Sequence, residues 1–186
     1  MRPIEPDDRD AVQGAFARLS EQSRYQRFMS AINELSESQL RYLTEVDHHD
    51  HEALIAFDRE GGLGVGVGRY VRLDDGTTAE AAVTVVDEWQ GRGLGTALCQ
   101  LLAARAREEG IERFTALLLA TNDQMHDVLA SLGPASVISR DAGTVEVEVA
   151  IPEQGIGDHM AGVLRVVAGG TVELATPPWG LRAHEG

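Results

Sequence analysis

The chain has 186 residues and a formal net charge of −14, from 30 Asp and Glu against 16 Lys and Arg. That balance argues against general nucleic-acid binding and favours cationic partners or plain solubility. No apolar run reaches membrane-span length and Met1–Asp8 has no apolar signal region, while the lone Cys99 excludes an internal disulfide and fits a reducing cytoplasm.

Arg2–Glu5 reads as a short opening strand. Asp7 or Asp8 is placed to cap a helix running to Leu19, with Val12, Ala15, Phe16 and Leu19 on one face. Ser20–Phe28 is an irregular or helical connection. Ser36, with Gln39 three residues on, marks the start of a second short helix. Ala53–Phe57 is an apolar strand, Glu60-Gly61-Gly62 a hairpin turn and Leu63–Leu73 the partner strand. Gly64, Gly66 and Gly68 alternate inside that partner; no helix follows them, so they read as sites of close backbone approach. After the turn at Asp74-Asp75-Gly76 comes a strand over Thr78–Val86. A helix with Leu94, Leu98, Leu101 and Leu102 at helical spacing runs to a stop at Gly110; Cys99, among these leucines, reads as a small core residue. Phe114–Ala120 is a fully apolar strand, Asn122–Leu132 a helix, and Ala135–Ser139 with Thr144–Ile151 a hairpin about Asp141-Ala142-Gly143. Beyond it, Asp158–Val167 has helical potential, Thr171–Ala175 strand potential, and Thr176–Gly180 a rigid Pro-Pro exit. The chain thus divides into a domain over 1–151 and an extension over 152–186, suited to covering a sheet edge, forming a homodimer contact or lying loosely. This order of elements argues for an α/β domain around one mixed sheet.

The most informative run joins strand to helix: Gln90-Gly91-Arg92-Gly93-Leu94-Gly95-Thr96. Glycines there leave main-chain N–H groups uncovered at the positive end of a helix, which suits a phosphate or pyrophosphate. The spacing is wrong for a dinucleotide fingerprint, and the chain has no lysine for a nucleoside-triphosphate loop. It matches Gln/Arg-x-x-Gly-x-Gly/Ala through Gln90, Gly93 and Gly95.

On these residues, with their strand before and helix after, residues 1–151 resemble the GNAT superfamily of N-acetyltransferases. The resemblance implies a single mixed, mostly antiparallel sheet flanked by helices. It implies acetyl-CoA as acyl donor, with no metal, its pyrophosphate held by Gln90, Gly91, Arg92, Gly93, Leu94, Gly95 and Thr96. The main-chain N–H near Val85 or Val86 would meet the thioester carbonyl, and Asn122 would orient the pantetheine arm or a water. Asn122 also reads as a helix N-cap. Glu80, bracketed by Ala79 and Ala81-Ala82, is the candidate general base, poised among small residues for proton removal directly or through water. Asp87 and Glu88 read as solvated turn residues. Many members protonate the leaving thiolate with a tyrosine in the last helix; the matching place here is Leu129, and no tyrosine lies within 114–134, which leaves that step to solvent.

A narrower resemblance, to bacterial Pat-type protein lysine acetyltransferase domains, is carried by Leu19–Phe28, by Leu43–Ile55 and by Met125 three residues after Asn122, which implies a cofactor contact for Met125. Such domains are often fused to a regulatory domain for which 186 residues leave no room. The implied acceptor is a protein lysine; the alternatives are a small amine (polyamine, amino acid or aminoglycoside) or a non-catalytic acyl-CoA sensor. His48-His49-Asp50-His51 are consecutive, whereas metal ligands are usually spaced, so the run reads as a loop or cap, with acceptor-site lining a minor reading.

Overall fold

A computed structural model describes residues 1–59 and 62–152. The Glu60-Gly61 half of the first hairpin turn and the elements expected beyond Pro152 lie outside the described residues. Within them, seven strands form one sheet: β1 (Arg2–Pro3), β2 (His51–Phe57), β3 (Gly64–Arg72), β4 (Thr78–Val85), β5 (Arg113–Leu119), β6 (Ala135–Asp141) and β7 (Thr144–Ala150), in the order β1-β2-β3-β4-β5-β7-β6. Only the β4–β5 pair is parallel. The helices are α1 (Arg9–Ala17), α2 (Glu21–Phe28), α3 (Glu37–Thr44), α4 (Leu94–Glu108) and α5 (Asp123–Ala130).

Local chemistry accounts for the helix ends. Ser36 Oγ accepts from the Gln39 N–H at 3.3 Å and Gln39 Oε1 accepts from the Ser36 N–H at 2.8 Å, closing the expected capping box on α3. The Ser20–Phe28 connection is a regular helix, α2, capped by the Ser20 hydroxyl accepting from the Ser23 N–H. Its apolar residues are only Tyr25 and Phe28, so periodicity gives little sign of it. Asp8 is the N-cap of α1 but makes no side-chain cap bond; its carboxylate instead takes Arg2 and the Glu5 N–H, at 2.7 Å each. That helix ends at Ala17, two residues short of the expected Leu19.

The sheet separates two layers. Arg69 on β3 reaches the main-chain oxygens of Tyr42 and Leu43, so one face of the sheet meets the N-terminal helices. The other face meets α4: a Cβ on Gly66 would stand 3.1 Å from Leu98 Cδ1, and one on Gly68 would stand 3.3 Å from Leu98 Cβ. The alternating glycines therefore admit a close helix, as their pattern suggested. Between the layers lie fully buried Tyr70, Phe114, Leu98, Leu102 and Ile55. Cys99 is among them, and burial pushes its thiol up to about 12, which suits packing and not nucleophilic chemistry.

Candidate active site

The parallel strands β4 and β5 pair over only three positions, Thr78↔Arg113 to Glu80↔Thr115. Past Glu80 each strand keeps its other neighbour, Val85 opposite Gly66 and Leu119 opposite Thr144, but not each other. Two strands that part while still bonded on their outer sides leave a wedge in the sheet. A cleft of about 590 Å³ fills that wedge, lined by Glu80 to Val85, by Leu117 and Leu118, by Asn122, Met125 and Val128, and by Gln90, Gly91, Gly93, Gly95 and Thr96. Its α2 wall includes Ser23, Gln26, Arg27 and Phe28.

At the far end of β4 the chain makes a short 3₁₀ turn over Asp87–Trp89 and enters α4 through glycines in the left-handed region, Gly91 at φ 69° and Gly93 at φ 80°. Gly93 is the N-cap of α4. Among the described residues no acceptor meets the main-chain N–H groups of Gly93, Leu94, Gly95 and Thr96. These are the four donors that any α-helix leaves over at its start, and they sit with the positive end of the helix dipole at the cleft.

The loop is held by contacts its own sequence does not advertise. Asp87 accepts from the Ser20 N–H at 2.9 Å, the Ser20 hydroxyl at 2.7 Å and the Ser23 hydroxyl at 3.0 Å. Desolvation works against its charge, yet the bonds from Ser20 and Ser23 outweigh that and set its carboxyl below the ordinary range. Glu88 pairs with Arg18, whose Nε is 2.9 Å away. Both acids are exposed turn residues, as the sequence suggests, and they also fasten the loop to the N-terminal helices. Gln90 serves the same end, its amide donating to Val85 O at 3.0 Å and to Ser23 Oγ at 3.3 Å.

Not every residue of the expected set reaches the cleft. Leu94 is buried in the core, so only its main chain faces the loop. Arg92 is exposed, with its guanidinium carbon 5.0 Å from the Trp89 ring centroid. Val86 is buried and its N–H is taken up by Val65 O at 3.0 Å, whereas Val85 lines the cleft. Asn122 lines the cleft and also caps α5, its side chain accepting from the Met125 N–H at 3.2 Å. Leu129, where a tyrosine was sought, is a core residue.

Glu80 is exposed. The expected shelter from its alanine neighbours does not form, because Ala79 and Ala81 point to the opposite, buried face of β4. A second cavity of about 310 Å³ opens beside it, and Arg27, Phe28, Glu80 and Ala82 line both spaces. Glu80 thus stands where the two spaces meet.

The histidine run forms a loop with polar partners. Asp47 Oδ1 accepts from the His49 and His51 N–H groups at 2.9 and 2.8 Å. His48 is in the left-handed region at φ 58° and its Nδ1 lies 2.7 Å from Glu52 Oε1. His49 pairs with Glu109 and His51 with Arg69. Among the described residues, no three His, Cys, Asp or Glu side chains gather as metal ligands. No described helix is long and apolar enough to cross a membrane.

Residues 18–133 match the model of the acetyltransferase (GNAT) family, and the chain belongs to that family. It is 36% identical over 155 residues to the acetyltransferase Pat of Mycolicibacterium smegmatis, covering 82% of this chain and 45% of that protein. It is 33% identical over 135 residues to the acetyltransferase PA5475 of Pseudomonas aeruginosa, covering 72% and 73%. Among solved structures, the GNAT domain of S. lividans PAT superposes with a TM-score of 0.74 at 33% identity, over 81% of this chain and 89% of that one. The chain spans just under half the length of the M. smegmatis relative.

Proposed function

We propose that the chain transfers an acetyl group from acetyl-CoA to a primary amine, a protein lysine side chain, by direct attack with Glu80 as general base. The observation that carries this reading is the shape of the wedge: unpaired helix-start amides at one end, Glu80 at the other, and a second cavity meeting the first at Glu80. The donor set fits a diphosphate, since four N–H groups and a helix dipole favour an anion without any lysine. Gln90, Gly91, Gly93, Gly95 and Thr96 hold the diphosphate end, with Arg92 at the rim. Asn122, Met125 and Leu117 flank the arm.

Acetyl-CoA, when bound, supplies a thioester whose acyl carbon accepts the amine. The protein's tasks are then positional and protonic. A free lysine ammonium has a pKa of about 10.4, so it must lose a proton before its nitrogen can attack. Glu80 takes that proton directly or through a water. The Val85 N–H meets the carbonyl oxygen as charge develops. A new C–N bond forms, the C–S bond breaks, and the departing thiolate is protonated by solvent. A lysine acceptor is supported by the resemblance to Pat-type domains and by the net charge of −14, which attracts lysine-rich surfaces.

The test is turnover of acetyl-CoA against lysine peptides and small amines, with Glu80→Gln beside the wild type. The variant should keep coenzyme A affinity while its rate falls by about 10²–10⁴-fold and its pH dependence flattens. An unchanged rate removes Glu80 from the role. No turnover with any amine, with coenzyme A still bound, supports a sensor instead.

A further inference from the structure

The cavity beside Glu80 carries an excess of positive charge in an acidic molecule. Three of its lining side chains are charged, Arg27, Arg69 and Glu80. Other half-buried arginines have carboxylates, Arg2 with Asp8, Arg72 with Asp50 and Arg105 with Glu52; Arg24 is an exception that donates to main-chain oxygens and lines neither space. Arg69 is 4% exposed and, among the described residues, forms no ion pair. One nitrogen, Nη2, lies 2.6 Å from His51 Nε2 and 3.4 Å from the oxygens of Tyr42 and Leu43. The other two, Nε and Nη1, are buried with no partner at all. Its guanidinium carbon lies 5.1 Å from the Tyr42 ring centroid.

Arg27 is the second guanidinium of the cavity, its carbon 5.1 Å from the Phe28 ring centroid. It too lacks an ion pair among the described residues; burial, the larger influence, disfavours its charge, and nearby Glu80 offsets only part of that. The two cations repel. Burial first, and Arg27 second, pull Arg69 down to about 10. His51 offers no counter-charge: burial first, then Arg69, hold its imidazole down to about 4, so it is neutral near pH 7 and accepts from Arg69. A buried cation with unused donors is costly unless something completes it, and a protein with 30 acidic side chains has had ample means to do so from within.

We propose that this cavity is the acceptor site and that its substrate is an amine presented together with a carboxylate, which seats on Arg69 and Arg27 while the amine reaches Glu80. This rests on the reading of Glu80 as the base. A guanidinium donates charge-assisted N–H bonds to a carboxylate, and Arg69 keeps unused donors at Nε and Nη1. The carboxylate belongs either to the amine's own molecule, as in a free amino acid, or to an acidic residue beside the target lysine. Polyamines and aminoglycosides bring further positive charge to a cavity with two arginines and one carboxylate and are disfavoured.

The experiment uses matched pairs that differ only in that charge: free amino acids against their carboxamides, and lysine peptides with a flanking glutamate against the same peptides with glutamine. Spermidine is the cationic control. Initial rates with acetyl-CoA and calorimetric binding to the coenzyme-A-loaded protein are both recorded. Wild type should favour the carboxylate member about tenfold or more, mainly through KM. Whether the amino-acid or the peptide pair shows the preference identifies the source. Arg27→Gln and Arg69→Gln should bring the ratio toward one, and Arg69→Lys should restore part of it. If Arg69→Gln does not fold, the wild-type ratios and Arg27→Gln decide. A wild-type ratio near one, a preference for spermidine, or no binding of any carboxylate member at millimolar levels overturns the proposal. If no amine is acetylated, the general-base reading fails separately, and the binding ratio still decides the site.

Discussion

Two sets of buried charge flank the strands β2 and β3, and they are built on opposite principles. Against α4, Glu52 is fully buried and fully engaged: His48 Nδ1 at 2.7 Å, the Ala53 N–H at 2.9 Å and Arg105 Nε at 3.2 Å all meet its oxygens. Arg105 in turn donates to His48 O at 2.7 Å and pairs with Glu109. Against the N-terminal helices, Arg69 is equally buried but left with two unpartnered nitrogens beside Arg27. A saturated network fixes a register and rigidifies a fold. An unsaturated one, lining a cavity, has capacity left for a ligand. The contrast sets a saturated network against a cavity lined by unused donors.

Substitutions that act on one side only would sharpen the contrast. The largest effect is expected at the cleft's anion end: Gly93→Glu places a carboxylate among the helix-start amides and should abolish acetyl-CoA binding by calorimetry. Since Gly93 has φ 80°, Gly93→Ala serves as the control for backbone strain. Next, Arg105→Met strands the buried Glu52 carboxylate and should cost about 3 kcal/mol in denaturant unfolding. Arg69→Met removes a charge that has no carboxylate to lose and should leave stability within about 1 kcal/mol or raise it. Equal losses in both would erase the distinction. Ser20→Ala removes the α2 cap and an Asp87 ligand, with an expected cost of about 1 kcal/mol. The smallest effect concerns acid. The carboxyl of Asp87 is depressed in the folded state, so its contribution is present above its unfolded pKa of about 3.9 and lost as pH falls through the lower folded value. Asp87→Asn should therefore flatten only the acid limb of the stability profile below about pH 4, read from thermal midpoints.

Much of the frame was legible in the chain because local chemistry wrote it. The Ser36–Gln39 pair, the turn glycines and the apolar runs of β4 and β5 each specify a neighbour a few residues away. The strand–glycine–helix junction at 90–96 was readable for the same reason. What escaped was everything that depends on distant partners. Helix α2 is too polar to show a buried stripe, because its inward residues Ser23 and Arg27 face a loop and a cavity. Asp87 and Glu88 are the exposed turn acids they look like, but their partners Ser20, Ser23 and Arg18 come from far along the chain. The shelter expected for Glu80 failed on parity, since alanines adjacent in sequence lie on the other face of a strand. Arg27 and Arg69 carry no signal at all in the chain. They are ordinary cations on different elements, and only the packing of α2 and α3 over β3 and β4 makes them one feature.

Hydrogen exchange with and without coenzyme A probes the central claim most directly, because it reads the loop amides themselves. Saturating coenzyme A should slow exchange across Gly91–Thr96 and along the facing segments Ala81–Val85 and Leu117–Met125, with the histidine loop at 47–51 unchanged. Protection confined to any other part of the chain, or no protection at millimolar coenzyme, would contradict it.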